Sequence, residues 1–255
     1  VGTSSPDQNC GVPASAQGTI AATAINNSAV LKNLTIFLAN NHTLPKIAID
    51  SASAPISNMT GKGIDATSDY ARTPGAGTIT IFSRGLAASG HSLDQVLYHE
   101  MLHYYFVYSQ YDINPSGAPI LPQSGTATAT INGVTYTYDL SDHSPDGGYQ
   151  SYEHVLVHNA LVDAFGSDNT GALMEALNKT QPPLSDSQKT QILKDYKGTK
   201  LSGSISGSIP SSGQSCGVTK YPSGDLRAVQ GSRSTRDLFD DMATVTFDST
   251  YDLAP

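Results

Sequence analysis

The chain has 255 residues, 38% of them apolar and 14% charged, with 14 Lys and Arg against 22 Asp and Glu, a net charge of -8. That length supports one large domain or two small ones around a real core, and the apolar share argues against bulk disorder. The acidic balance excludes a nucleic-acid-binding surface, which needs a basic surplus, and no apolar run approaches the roughly 20 residues of a membrane span.

Residues 1–27 read as an irregular arm with turns at Pro6 and Pro13. Ser28 to Asn40 carries Val30, Leu31, Leu34, Phe37 and Leu38 at helical spacing, with Ser28 as its cap. Leu44 to Ala52 reads as a strand, Gly61 to Gly77 as loop, and Thr78 to Ser83 as a short strand by alternation and β-branching. Ser92 opens a helix running to about Gln110, with Gln95 placed as its capping-box partner. A polar loop follows to Gly125. Ala127–Ile131 and Val134–Tyr138 flank Asn132-Gly133, the favoured dipeptide of a tight hairpin.

After an irregular stretch over 139–148, Tyr149 to Phe165 reads as a second central helix ended by Gly166. Further helices are expected around 169–179 and 185–196, the latter capped by Ser185. The Gly/Ser-rich run over 198–215 fits a linker or a surface strand bearing Leu201 and Ile205. Ala243 to Phe247 reads as a last strand that packs back on the main domain.

Abundant Ser, Thr and Gly with few Lys and Arg suit an exported protein, secreted to the extracellular space or periplasm. The chain opens at Val1 without a signal-like segment and reads as a mature or trimmed product. Cys10 and Cys216 lie in similar contexts, Asn9-Cys10-Gly11-Val12 and Ser215-Cys216-Gly217-Val218. A disulfide between them would close most of the chain into a loop and remove denatured-state entropy, the alternative being two unpaired thiols. N-glycosylation patterns occur at Asn26, Asn33, Asn41, Asn58 and Asn178, and count only where the modifying machinery exists.

The sharpest signal is His99-Glu100-Met101-Leu102-His103. Four residues is just over one helical turn, so His99 and His103 project from one face and can share a tetrahedral metal ion. Neutral imidazole suits zinc, and the carboxylate of Glu100 is placed to take a proton from an activated water. Leu93, Val96, Leu97, Leu102, Phe106 and Val107 supply the packed base that such a site needs.

With this motif the chain resembles the zincin metallopeptidases, over residues 78 to about 165. The resemblance implies an α+β fold: a small mixed β-sheet packed on the motif helix, followed by a mainly helical lower part. It also implies an active-site cleft between two central helices within a catalytic domain over 28–200. The segment 201–255 is too short to make a core alone and is expected to pack back on that domain. In such enzymes a strand beside the cleft, here Thr78–Ser83, pairs with extended substrate. The implied roles are zinc ligation by His99 and His103, and general base then proton donor for Glu100.

Phe106 and Ser109 stand where a metzincin has Gly and His, which excludes that branch. A gluzincin takes its third ligand as Glu from a second helix, here Glu153. Val157 stands where thermolysin-like members keep a buttressing Asp. His154 and His158 on the same helix remain alternatives, as do Asp112, Asp142, Asp146 and His143. Tyr149, Tyr152, His143 and His158 are candidates to steady the oxyanion.

Asp139, Asp142 and Asp146, with Asp168 and Asn169, form an oxygen-rich set that raises a structural calcium ion beside the expected zinc, although no EF-hand spacing is present. The function expected is hydrolysis of peptide bonds in a peptide or protein by a monomer. The rivals are a non-catalytic binding or adhesion domain on the same scaffold and a zinc hydrolase of a non-peptide amide.

Overall fold

A computed structural model describes residues 23–25, 27–40, 45–50, 66–69, 77–113 and 124–207. The N-terminal arm before residue 23, Cys10 and Cys216, the patterns at Asn26, Asn41 and Asn58, and the strand expected over 243–247 lie outside the described residues. Two compact units divide the chain, residues 1–104 with 242–255 and residues 105–241.

In the first unit α1 spans Ala29–Asn40. The amide of Leu31 donates to Ser28 Oγ at 3.3 Å, the expected cap, and Leu31, Leu34 and Leu38 are fully buried on one stripe. Asn33 is 5% exposed on this helix, a position with no room for a glycan.

The sheet has β1 (Lys46–Asp50), β2 (Ala66–Asp69) and β3 (Thr78–Phe82), in the order β1-β3-β2. β1 runs parallel to β3, with Ile47 opposite Ile79, and β2 runs antiparallel to it, with Ala66 opposite Ile81. The alternation in Thr78–Phe82 buries Ile79 and Ile81. β2 falls inside the stretch read as loop, because Ala66-Thr67-Ser68-Asp69 has too little apolar character to announce a strand. The expectation that β3 pairs with extended substrate is overturned. Its backbone already bonds β1 on one side and β2 on the other.

After α2 (Ser83–Ser89) the chain turns at Gly90, where φ is 73°. α3 (Leu93–Ile113) follows and carries the HEMLH motif. The boundary between the two units falls inside this helix. Val96, Leu97, Tyr98, Met101 and Leu102 are buried, and the Thr35 hydroxyl of α1 meets Met101 Sδ at 3.5 Å. The expected capping box does not close. The amide of Gln95 bonds Asp94 Oδ1 at 3.0 Å, and Gln95 Oε1 is buried without a partner.

The second unit holds the hairpin of β4 (Thr126–Ile131) and β5 (Val134–Asp139). Asn132 and Gly133 take φ of 52° and 75°, the paired positive values that a tight hairpin turn needs. β6 (Ser202–Ser206) adds to the other side of β4, so the Gly/Ser-rich run begins as a strand rather than a linker. Gly203 makes that approach feasible. A Cβ there would lie 1.9 Å from the Thr128 carbonyl oxygen.

The helices of this unit are α4 (Gly148–Phe165), α5 (Ala172–Ala176) and α6 (Asp186–Tyr196). Gly166 ends α4 in the left-handed region, and Ser185 with Gln188 closes a capping box on α6. Asn159 of α4 bonds both backbone groups of Leu201, at 2.8 and 2.7 Å, and fastens the start of β6 to that helix. The expected fold class holds: a mixed α+β fold with a small sheet, the motif helix, and further helices after it. Among the described residues no helix is long and apolar enough to cross a membrane.

Candidate metal centre

α3 holds His99 and His103 four residues apart, 5% and 6% exposed, with ring centroids 5.0 Å apart. Leu97, Met101 and Leu102 around them are fully buried, so both rings stand on a packed base. His154, in the second turn of α4, joins them. One ligand atom from each of His99, His103 and His154 lies within 4.8 Å of the others. Among the described residues no other group of His, Cys, Asp or Glu gathers so closely.

Donors bound to one tetrahedral zinc at 2.0–2.1 Å are about 3.4 Å apart, a spacing of the same order as the 4.8 Å limit within which these three lie. Three imidazoles in a largely buried setting fit zinc by donor type as well. The motif spacing and the distant third residue together give a zincin-like metal-binding architecture.

His154 also meets groups of α4 and α5. Its Nδ1 lies 2.8 Å from the Gln150 carbonyl one turn back, and its Nε2 meets Glu175 Oε2 of α5. Burial works against a charge on this ring. The charge of Glu175 and its hydrogen bond overcome that, helped by the Glu153 charge and the Gln150 carbonyl, and raise the His154 pKa to about 9. The ring is therefore protonated at neutral pH, and an ion that takes Nε2 must displace that proton.

In protein stripped of metal, this pair contributes stability that is full below the ordinary histidine value of 6.5. The contribution fades as pH rises through about 9. It amounts to no more than about 3 kcal/mol. Chelator-treated Glu175→Gln should thus melt below the parent at pH 6 and level with it at pH 10.5, measured by thermal unfolding at both pH values.

The other expected site residues are placed as follows. Glu153 is 3% exposed, adjoins His154 in sequence, and is not in the gathered group, where His154 takes the third place. Glu100 is half-buried on α3 beside His99. Asp112 lies in the last turn of α3, where only the backbone is described. Tyr149 stacks against the exposed His143 with centroids 4.5 Å apart, and Tyr152 is fully buried against Tyr138 at 5.5 Å. Packing occupies both tyrosines.

His158 is fully buried, with Nδ1 3.0 Å from Asp168 Oδ2 and Nε2 2.9 Å from the Thr199 carbonyl. Both ring nitrogens are thus taken up by protein oxygens, which leaves neither for a metal. Asp168 also accepts from the amides of Thr170, Gly171, Ala172 and Leu173, at 3.1, 3.2, 3.3 and 2.7 Å, and so caps α5. Asp168→Ala would strand these donors and a buried imidazole. The expected loss is about 3–5 kcal/mol, a fall of roughly 10 °C in the thermal midpoint by calorimetry.

The calcium expectation finds no support among the described residues. Asp139 and Asp142 each bond the hydroxyl and amide of a serine two residues on, Ser141 and Ser144. Those bonds hold both carboxyls below the usual aspartate range. Asp146 is exposed, Asp168 caps α5, and no three of these carboxylates gather.

Glu175 is the residue that sequence reasoning passes over. It stands alone on a five-residue helix with no motif spacing to either histidine pair, so only the tertiary fold brings it to His154. Comparison of the chain with protein-family models, with curated proteins and with solved structures finds no match.

Proposed function

We propose that the chain is a zinc-dependent hydrolase in which His99, His103 and His154 hold the ion and Glu100 is the general base. The carrying observation is the convergence of those three histidines to within 4.8 Å. Bound zinc would supply a Lewis acid and a water of lowered pKa. Glu100, next to His99 on a helix packed along that stretch, takes a proton from the attacking water and returns it to the leaving nitrogen. His99 and His103 keep that carboxylate and the ion in register, since all three sit within two turns of α3.

The proposed reaction is hydrolysis of a peptide bond, and the composition favours an exported enzyme. With His154 in the third place, the gluzincin pattern of a Glu ligand has less support than a three-histidine site.

A second reading has one observation in its favour. β3, which the resemblance assigns to extended substrate, has strand partners on both sides. That leaves hydrolysis of a non-peptide amide as an alternative. The test is metal analysis of protein purified without chelator, then a panel of peptides and non-peptide amides with and without chelator. About one zinc per chain and chelator-sensitive cleavage of peptides support the first reading. Cleavage of the other amides alone supports the second, and absence of bound or titratable zinc defeats both.

A further inference from the structure

Within the second unit the tip of the hairpin meets the end of α6. The Asn132 amide donates to the Tyr196 oxygen at 2.9 Å, and the Tyr196 hydroxyl donates in turn to Asn132 Oδ1. Tyr196 is the last residue of α6, 64 positions from Asn132 in sequence. One phenolic oxygen thus bridges the backbone N–H and the side-chain carbonyl of a single residue. That residue stands before a glycine, and both are exposed. A Cβ built at Gly133 would meet nothing within 4 Å, so the backbone there is open on that side.

An asparagine before an unhindered glycine carries a reaction of its own. The Gly133 nitrogen attacks the side-chain carbonyl carbon of Asn132. The new C–N bond closes a cyclic imide, the Gly133 nitrogen gives up its proton, and the carboxamide nitrogen leaves with that proton as ammonia. Water then opens the ring, adding OH to one carbonyl carbon and H to the imide nitrogen. Opening at the side-chain carbonyl gives aspartate. Opening at the backbone carbonyl gives isoaspartate, in which the main chain runs through the former side chain. Water is the only co-reactant, and the metal centre takes no part.

The Tyr196 bridge opposes the first step. It holds the carboxamide toward the N–H of its own residue, whereas ring closure needs the carboxamide carbon on the amide of the next. The turn acts with it, since φ of 52° at Asn132 and 75° at Gly133 fix the peptide between them. We propose that Asn132 is a latent deamidation site that the Tyr196 hydroxyl keeps closed in the folded chain. Loss of that contact opens the site. The isoaspartyl product lengthens the main chain inside a two-residue turn, so β4 and β5 lose the register that pairs Ile131 with Val134.

The test incubates the full chain at mildly alkaline pH, folded and in denaturant. Mass spectrometry of the proteolytic peptide carrying residues 132 and 133 follows exchange of the amide for an acid and separates the two acid isomers. The parent should convert more slowly folded than denatured. Folded Tyr196→Phe should convert about 10-fold faster than the folded parent, the rate change that one hydrogen bond is worth, and at the parent's rate in denaturant. Ser185→Ala, which loosens the other end of α6 and keeps Tyr196, should stay with the parent. A parent that converts equally fast folded and denatured would overturn the proposal, as would an Asn132 that stays intact even in denaturant. Folded Tyr196→Phe no faster than the parent would take the protection away from the hydroxyl. Ser185→Ala as fast as Tyr196→Phe would do the same, tracing the conversion to general opening of the helix.

Discussion

Glu100→Gln is expected to bind zinc like the parent and to lose about 10²- to 10⁴-fold in turnover. The amide matches the carboxylate in shape, so α3 and its two histidines should keep their packing. It cannot take a proton at neutral pH, so only the base is removed. The measurement is kcat on the best substrate of the panel, beside zinc content on the same preparation. Zinc retained with activity lost is the expected result. Cleavage at the parent's rate would take the proton transfer away from Glu100, while loss of zinc would make that residue structural to the site.

The second large effect concerns the third ligand. His154→Ala is expected to lower zinc affinity by at least about 100-fold, whereas Glu153→Gln should leave it close to the parent's. Removing His154 reduces the gathered nitrogens from three to two, and two helical histidines one turn apart make a weak, exchangeable site. Glu153 adjoins His154 in sequence but stands outside the group. Its charge acts on the His154 ring from there. The reverse pattern, with zinc lost from Glu153→Gln and kept by His154→Ala, would return the third place to Glu153.

How much of this was legible in the sequence depended on whether the signal was local. The spacing of His99 and His103, the Asn132-Gly133 turn, the Ser28 and Ser185 caps and the glycine that ends α4 are each written within a few residues, and each reappears in the structure. The third ligand was narrowed only to a helix. Glu153, His154 and His158 are close in sequence, and spacing alone does not choose among them. The structure gives His158 to Asp168 and His154 to the metal group. β2 was missed because its four residues carry no alternation of their own and are ordered by β3. Glu175 was missed because its partner lies 21 positions earlier, on a different helix.

α4 gives its two interior histidines different duties on successive turns. At His158 the partner is a fully buried aspartate already committed to five other donors, an arrangement that cannot rearrange cheaply. At His154 the partner is a glutamate whose side chain is 35% exposed, a contact nearer to solvent. One turn of helix thus separates a buried clamp, which ties α4 to the start of α5, from a contact at the edge of solvent, so damage to the first should be felt in folding and damage to the second in the state of the His154 ring.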